Sequence, residues 1–316
     1  MLAQLAGILG RRFEPRIFIF TFHRIVESNS QCSKVYPTTD VLSTQLKQIQ
    51  KSMPIGDLHH SLGQLYNNTL KENTAAITFD DGYLDNHSLA LPVLKSCGAT
   101  ATFFISTGYL GSNGLFGEQI RIGLQNTALR RLDLSEIGLG IQDFESFSQR
   151  LQLSIKVREI LKYMPPSLRD EKTKTICRQF AVDVSAPMLC ATQVLDLQNN
   201  GMSVASHSHM HPIPNSISTD EFRGDVAKSI QVLRQIGIKD SPLFAYPNGK
   251  MSKDYVERHS SILRELGFQF VLTTNWGVTN RQSDAMQIPR FSVPETASIR
   301  FKANLLRHVL KIDKDE

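Results

Sequence analysis

Residues 75–83 of the chain read AAITFDDGY. The first part, Ala75–Phe79, is apolar and β-forming, and it predicts a buried strand. The strand ends abruptly at Asp80 and Asp81, and Gly82 permits a sharp turn there. Two adjacent carboxylates at such a place are costly to bury unless they are paired or bound to a metal. A helix cap is the alternative, but capping accounts for only one of the two aspartates.

Further apolar runs alternate with helical patterns on both sides of this stretch. The other predicted strands are residues 17–22 (IFIFTF), 99–105, 201–206, 243–246, 268–273 and 286–293. Helical spacing predicts helices over residues 41–51, with Asp40 as N-cap, and over residues 85–96, 220–236 and 253–266. Strands that alternate with helices indicate a parallel sheet, so the fold class is α/β, and about seven such units predict a closed or distorted barrel.

Residues from about 113 to 198 differ from the rest, because they are rich in Leu, Gln, Arg and Ser and mostly helical in pattern. The pair Pro165-Pro166 interrupts them. We interpret this segment as a helical insertion or lid on a single domain that comprises residues 1–316.

The composition is that of an ordinary globular protein, with 41% hydrophobic and 21% charged residues in a chain of 316. The formal net charge is +5, but the basic residues are scattered, so we expect no nucleic-acid partner. The four cysteines are dispersed and form no metal-binding pair, which predicts free thiols, mostly in the core. They are Cys32, Cys97, Cys177 and Cys190.

Residues 1–16 read MLAQLAGILGRRFEPR. The apolar part is too short to span a bilayer, and Arg11 and Arg12 follow it instead of preceding it as in a secretory signal. We expect a short amphipathic helix that caps the bottom of the fold, with peripheral membrane contact as the alternative. No other segment is apolar enough to be transmembrane. Because residues 1–16 do not have the pattern of a secretion signal, we expect a cytoplasmic protein, with association at the inner face of the membrane as the alternative.

A histidine cluster, HSHMH over His207–His211, follows another predicted strand. Residues four apart are roughly 13 Å apart on a strand but about 5–6 Å apart on a helical turn. His207 and His211 therefore share a metal only if the chain turns directly after Ser206. The alternative is a surface cluster of unrelated histidines.

The strands that precede Asp80-Asp81, His207–His211 and Tyr246–Asn248 would be parallel, so their polar ends share one face of the barrel. Two histidines and one carboxylate suit a single divalent ion, with zinc as first choice and cobalt, nickel or manganese as alternatives. Such an ion activates water and polarises a carbonyl. The residues alone do not decide which aspartate binds it. No serine-nucleophile elbow or P-loop is present.

Three stretches resemble the first three motifs of the polysaccharide deacetylases, the NodB-homology proteins of carbohydrate esterase family 4. They are residues 77–83 (ITFDDGY), 206–212 (SHSHMHP) and 244–249 (FAYPNG). The similarity extends to residues 101–105 (ATFFI) and 21–25 (TFHRI). The resemblance implies a distorted (β/α)7 barrel with a helical insertion.

The resemblance also implies roles by position. Asp80 matches the general base, and Asp81, His207 and His211 match the metal ligands. TFHRI resembles the N-terminal motif of a circularly rearranged branch typified by poly-N-acetylglucosamine deacetylases, which implies that His23 is the general acid. A core histidine is the alternative for His23.

The third motif departs from the family pattern. Ala245 stands where many members have an arginine that orients the base, and Asn248 stands where they have a tyrosine. The backbone N–H of Asn248 remains an oxyanion donor. Tyr246, Trp276 and Arg290 are the candidate substrate-binding residues. Arg290 is also a candidate replacement for the lost arginine, with a structural salt bridge as the alternative, and packing is the alternative for Trp276.

The residues and the resemblance together predict a metal-dependent hydrolase that removes acetyl groups from N-acetylated sugars of a polysaccharide or glycan precursor. The resemblance alone implies a setting in surface polysaccharide metabolism. An esterase acting on O-acetyl groups and a non-catalytic carbohydrate-binding protein are the alternatives.

Overall fold

A computed structural model describes residues 14–29 and 35–292, so the predicted N-terminal helix lies outside the described residues. Seven strands form one parallel sheet in the order β8-β7-β6-β3-β2-β1-β9. They are β1 Ile17–Phe22, β2 Thr74–Phe79, β3 Thr102–Ile105, β6 Ser203–Ser206, β7 Leu243–Ala245, β8 Phe270–Leu272 and β9 Phe291–Ser292. A separate antiparallel hairpin joins β4 Arg131–Asp133 to β5 Ile141–Asp143.

The segment before β9 curls the sheet towards closure. The N–H of Ile288 donates to the carbonyl of Val271 in β8 at 2.8 Å. Three residues later, Phe291 pairs in register with Phe20 of β1. One short segment thus contacts both β8 and β1, and the distorted (β/α)7 barrel is confirmed.

Nine α-helices lie among the described residues. They are α1 Thr39–Gln50, α2 Leu58–Tyr66, α3 Leu91–Ser96, α4 Phe116–Asn126, α5 Phe147–Lys162, α6 Pro166–Gln179, α7 Ala191–Asn199, α8 Thr219–Ile236 and α9 Glu257–Glu265. Thr38 caps α1, because its hydroxyl accepts from the N–H of Val41 at 3.3 Å, and the predicted cap Asp40 lies in the first turn instead. The predicted helix over residues 85–96 begins as a π-helical turn, Asn86–Ala90, because Pro92 has no N–H to donate.

Both faces of the sheet are buried, which is why its polar side chains are confined to the strand ends. Ile17 and Ile19 pack inside the barrel, and Phe18 and Phe20 pack against the outer helices. Every position of β1 and β2 is buried. Full burial of an Ile or Phe side chain in these strands stabilises the fold by about 1.5–3 kcal/mol.

The segment from about residue 113 has a core of its own. Helices α4, α5 and α6 pack with the β4–β5 hairpin, which the helical pattern did not predict. Helix α7 differs, because Val194 and Leu197 join the main core beside β6. The last part of the predicted insertion therefore packs with the barrel, while the division of the chain into one domain with an insertion over 113–198 stays a prediction.

Two predictions about composition are tested by the described residues. Cys97, Cys177 and Cys190 are free thiols as expected; Cys97 and Cys177 are partly buried and pack against the hydrophobic cores, whereas Cys190 belongs to neither core. Cys32 lies outside the described residues. Within residues 14–29 and 35–292, no helix combines the length and apolarity needed to cross a bilayer.

Candidate active site

The polar ends of β1, β2, β6 and β7 meet at one cavity of about 510 Å³, at the carboxyl face of the sheet. Seven of the nine predicted site residues line it. They are His23, Asp80, Asp81, His207, His211, Tyr246 and Asn248. Trp276 and Arg290 do not line the cavity.

Three donor groups converge at the floor of the cavity. The Nε2 atoms of His207 and His211 lie 3.5 and 3.4 Å from Oδ1 of Asp81. The chain turns directly after Ser206, and Ser208 and His211 take positive φ values of 68° and 48°. These values cost strain in residues other than glycine, and the turn brings both imidazoles to one place.

The imidazole of His207 has a fixed orientation. Its Nδ1 lies 2.7 Å from the carbonyl oxygen of Ala245, so Nδ1 carries the proton and donates it. The Nε2 lone pair therefore points towards Asp81. A hydrogen bond that fixes the tautomer of a histidine in this way is typical of metal-binding histidines.

Asp81 is buried and ionised. Burial alone would raise the pKa of its carboxyl group, but the imidazoles of His207 and His211 beside it hold that pKa well below its ordinary value. Its backbone has φ +76°, and its carbonyl accepts from the N–H of Ser106 at 3.2 Å. An ionised carboxylate beside two imidazole nitrogens, all within 4.8 Å of one another, is a donor set that fits a divalent cation.

Two side chains that the sequence did not single out hold the histidine turn. Asp225 of α8 accepts from the N–H groups of His209 and Met210 at 2.7 and 2.8 Å. Arg169 of α6 donates to the carbonyl oxygens of Met210 and His211 at 2.6 and 2.8 Å. Both lie within regular helices and outside any recognisable motif, so the sequence contains no signal for them.

Asp80 forms a buried, bidentate ion pair with Arg290. The two guanidinium nitrogens lie 2.9 and 2.8 Å from the two carboxylate oxygens. Burial alone would raise the pKa of Asp80, but the charge of Arg290, with His207 next in effect, holds that pKa below its ordinary value. Arg290 is only 2% exposed, so its predicted substrate contact is wrong: the guanidinium lies behind Asp80 and orients it.

His23 lies in the loop after β1, and its exposed imidazole lines the cavity, which contradicts the alternative of a core histidine. Hydrogen bonds with Asp85 and Asn86 hold this loop in place. The Asn86 amide donates to the His23 carbonyl at 2.7 Å, and Asp85 accepts from the N–H of Ile25 at 3.1 Å and from Arg24 at 2.8 Å.

The other three candidates, Tyr246, Asn248 and Trp276, differ in their burial and in their position relative to the cavity. The ring of Tyr246 is fully buried and stacks on Tyr255 at 4.0 Å, and its hydroxyl lies 3.1 Å from that of Ser260. Asn248 lines the cavity with φ +62°, and no described residue accepts from its backbone N–H. Trp276 is 51% exposed and packs against Phe291 outside the cavity, so its role in substrate binding stays a prediction.

A model of the polysaccharide deacetylase family matches residues 67–271 of the chain. No curated protein matches its sequence.

Several solved structures share the fold. The deacetylase PplD of Streptococcus pyogenes, solved with acetate, has a TM-score of 0.62 at 19% identity over 94% of this chain and 99% of that one. IcaB from Ammonifex degensii has a TM-score of 0.58 at 18% identity over 89% and 92% of the two chains. A polysaccharide deacetylase from Bacillus cereus has a TM-score of 0.58 at 15% identity over 92% and 69%. At these identities the likeness concerns the fold alone.

Proposed function

Because the chain belongs to the polysaccharide deacetylase family, we propose that it removes acetyl groups from an N-acetylated glycan with the aid of one divalent ion held by Asp81, His207 and His211. Membership makes it a hydrolase that acts on the carbon–nitrogen bond of N-acetyl sugars. The observation that carries the proposal is the convergence of these three donors beside Asp80, a carboxylate that a buried arginine holds in place.

The donor set is suited to the ion. Two neutral imidazoles and one carboxylate leave open coordination positions, and zinc is the ion we propose. When bound, such an ion lowers the pKa of water and polarises the acetyl carbonyl. The proposed ligands supply at most one formal negative charge, so the site would keep a net positive charge towards the oxygen that becomes negative.

Asp80 is the proposed general base. Its carboxylate is ionised at neutral pH, since Arg290 keeps its pKa low. Arg290 binds both carboxylate oxygens of Asp80 and so prevents the carboxylate group from rotating. The carboxylate therefore keeps one orientation towards the cavity. As the water oxygen attacks the carbonyl carbon, the water proton passes to Asp80.

His23 and Asn248 complete the proposed reaction. The N–H of Asn248 has no other acceptor among the described residues and can donate to the oxyanion. The imidazole of His23 donates a proton to the amide nitrogen, the carbon–nitrogen bond breaks, and acetate and a free amine are released. No covalent intermediate with the protein is involved.

Acetate release from N- and O-acetylated glycans tests this function. We expect release from the N-acetylated glycan, loss of activity in both Asp80→Asn and Asp81→Asn, and retained metal binding in Asp80→Asn alone. Asp220→Asn, on the exposed first turn of α8, is the control that keeps activity. Unchanged turnover in Asp80→Asn would remove the base assignment, and release from O-acetyl groups alone would make the enzyme an esterase. The setting in surface polysaccharide metabolism and the cytoplasmic location stay predictions.

A further inference from the structure

One face of α5 presents an apolar stripe to solvent. Phe147, Leu151 and Ile155 are 59%, 37% and 47% exposed, and their spacing of four residues places them in one row. The row is about 12 Å long, given a rise of about 1.5 Å per residue. Single exposed apolar residues are common, but a continuous row is typical of a binding surface.

The stripe leads into the catalytic cavity. Ile155 lines both the stripe and the cavity, and Arg158 and Lys162 follow on the same face of α5 and also line the cavity. Lys250 lines it too. Lys162 is paired, with Glu159 at 3.4 Å, but in the part of the chain that the structure describes neither Arg158 nor Lys250 has a carboxylate partner for its side chain.

The apolar stripe of α5 and the basic side chains of Arg158 and Lys250 in the cavity together suit an amphiphilic ligand. We propose that the substrate is an acetylated sugar joined through an anionic group, such as a phosphate diester, to a hydrocarbon chain. The chain lies along Phe147, Leu151 and Ile155, and the anion lies near Arg158 and Lys250. This inference rests on the proposed deacetylation and names its substrate class.

A bilayer surface suits the stripe less well. Seven exposed polar residues lie around the stripe over residues 145–159, and only Lys156 is basic: Glu145, Ser146, Ser148, Gln149, Gln152, Lys156 and Glu159. Helices that lie on anionic membranes instead have several basic residues in such positions. The basic groups without a carboxylate partner line the cavity, beside the proposed catalytic residues.

Binding of three synthetic probes tests the inference without turnover. The probes are decyl N-acetylglucosaminyl phosphate, its methyl analogue, and neutral decyl N-acetylglucosaminide, each titrated into the metal-loaded protein by calorimetry. We expect the decyl phosphate to bind at least about tenfold more tightly than either other probe, because each lacks one of the two contacts. Phe147→Ser/Leu151→Ser should remove the advantage of the decyl chain. Ile141→Ser, an exposed apolar residue of the hairpin, should keep it.

Three results would overturn the inference. The first is equal binding of the decyl and methyl phosphates to the parent protein. The second is a double variant that keeps the decyl advantage but loses binding to anionic vesicles, which would assign the stripe to a membrane. The third is a fall in melting temperature or a change in oligomeric state of the double variant, which would assign the stripe to packing. Absence of deacetylation with intact decyl phosphate binding would instead remove the proposed function.

A separate observation concerns the metal-binding turn. The guanidinium of Arg169 is fully buried and donates to the Met210 and His211 carbonyls and to the Tyr109 hydroxyl, the last at 2.6 Å. It also lies over the ring of Phe116 at 4.8 Å. Both Arg169 and Phe116 belong to the segment that packs around its own core, whereas the turn belongs to the barrel.

We infer that Arg169 is a positioning residue for the metal site. His211 keeps a backbone φ of +48°, and Arg169 binds the carbonyl of that same residue. Without the guanidinium, two partly buried carbonyl groups lose their donor and the turn is free to relax. The inserted helices thereby contribute to metal affinity although they supply no ligand.

Arg150 offers a matched control. Its guanidinium donates to three backbone carbonyls, those of Leu124, Thr127 and Leu129, at 3.0, 2.7 and 2.8 Å, and it lies over the ring of Phe144 at 4.9 Å. The surroundings resemble those of Arg169, but all of these partners lie within the inserted segment.

Metal titration of the metal-free protein tests this inference, with zinc-dependent shift in melting temperature as a second readout. We expect Arg169→Met to weaken zinc binding by about 10–100-fold, as loss of a group that supports a ligand does. Arg150→Met should lower the melting temperature without changing zinc affinity. If Arg169→Met does not fold, Arg169→Lys should show an intermediate loss. Parental zinc affinity in the Arg169 variants, or an equal loss in Arg150→Met, would overturn the inference.

Discussion

Replacing Arg290 by methionine tests the ion pair on which the proposed base depends. The side chains of Arg290 and Asp80 are 2% and 3% exposed, so solvent screens the pair little. Arg290→Met leaves a buried carboxylate without its partner, which costs about 3–5 kcal/mol of unfolding free energy. The cost should be smaller in Asp80→Asn/Arg290→Met, where no uncompensated charge remains.

The same variant changes the pH dependence in a defined direction. Arg290 holds the pKa of Asp80 below its ordinary value, and burial would raise that pKa once the arginine is gone. The acid limb of kcat/KM should therefore move to higher pH. In the parent protein the pair contributes stability above the pKa of an unfolded aspartate, and that stability is lost as pH falls through the lower folded pKa.

Urea unfolding of both variants measures the stability effect, and the pH–rate profile of Arg290→Met measures the shift of the acid limb. Arg234→Met is the control, because Arg234 makes the same bidentate pair with Asp240, at 2.7 and 3.0 Å, on the surface. Exposed pairs of this kind contribute less than about 1 kcal/mol. Equal destabilisation of the Arg234 and Arg290 variants, or an unmoved acid limb, would refute the reasoning.

Three further predictions concern other residues. His23→Gln should reduce kcat on an N-acetyl substrate more than on an O-acetyl one, because the amine needs protonation to leave; equal loss on both would contradict the role of general acid. Burial lowers the pKa of His259 to about 4, so stability should fall as pH drops from about 6.5 towards 4, and urea unfolding of His259→Gln should lack this fall. In Gly123→Ala the new Cβ would lie 2.1 Å from the ring of Phe180, so calorimetry should show a cost of about 1–3 kcal/mol; a parental melting temperature would show that the ring relaxes freely.

The first six strands of the parallel sheet were predictable because each combines an apolar run with a polar end, whereas the strand predicted over residues 286–293 forms only at Phe291–Ser292. Residues 17–22 were predicted and observed with the same bounds. The capping of α1 by Thr38 was not predictable, since the side chains of Thr38 and Asp40 can both cap a helix and only the local geometry decides between them. The hairpin β4–β5 has three residues in each strand, too few for a periodic pattern.

The candidate site was predictable where neighbouring residues carry it and not where distant residues complete it. Asp80-Asp81 and the histidine turn lie in short motifs, and the strand order brings them together. Arg290 was a candidate replacement for the missing arginine from its place after a predicted strand, but only the fold shows that it pairs with Asp80. The contact of Arg169 with the histidine turn could not be predicted, because nothing in the sequence distinguishes this arginine from others in an ordinary helix.

Anomalous diffraction from crystals grown with zinc tests the central claim most directly, since it locates and identifies the ion at once. We predict one zinc peak bonded to Nε2 of His207, Nε2 of His211 and a carboxylate oxygen of Asp81, each at about 2.0–2.2 Å. A peak at another place, or none in protein that hydrolyses N-acetyl glycans, would contradict the account.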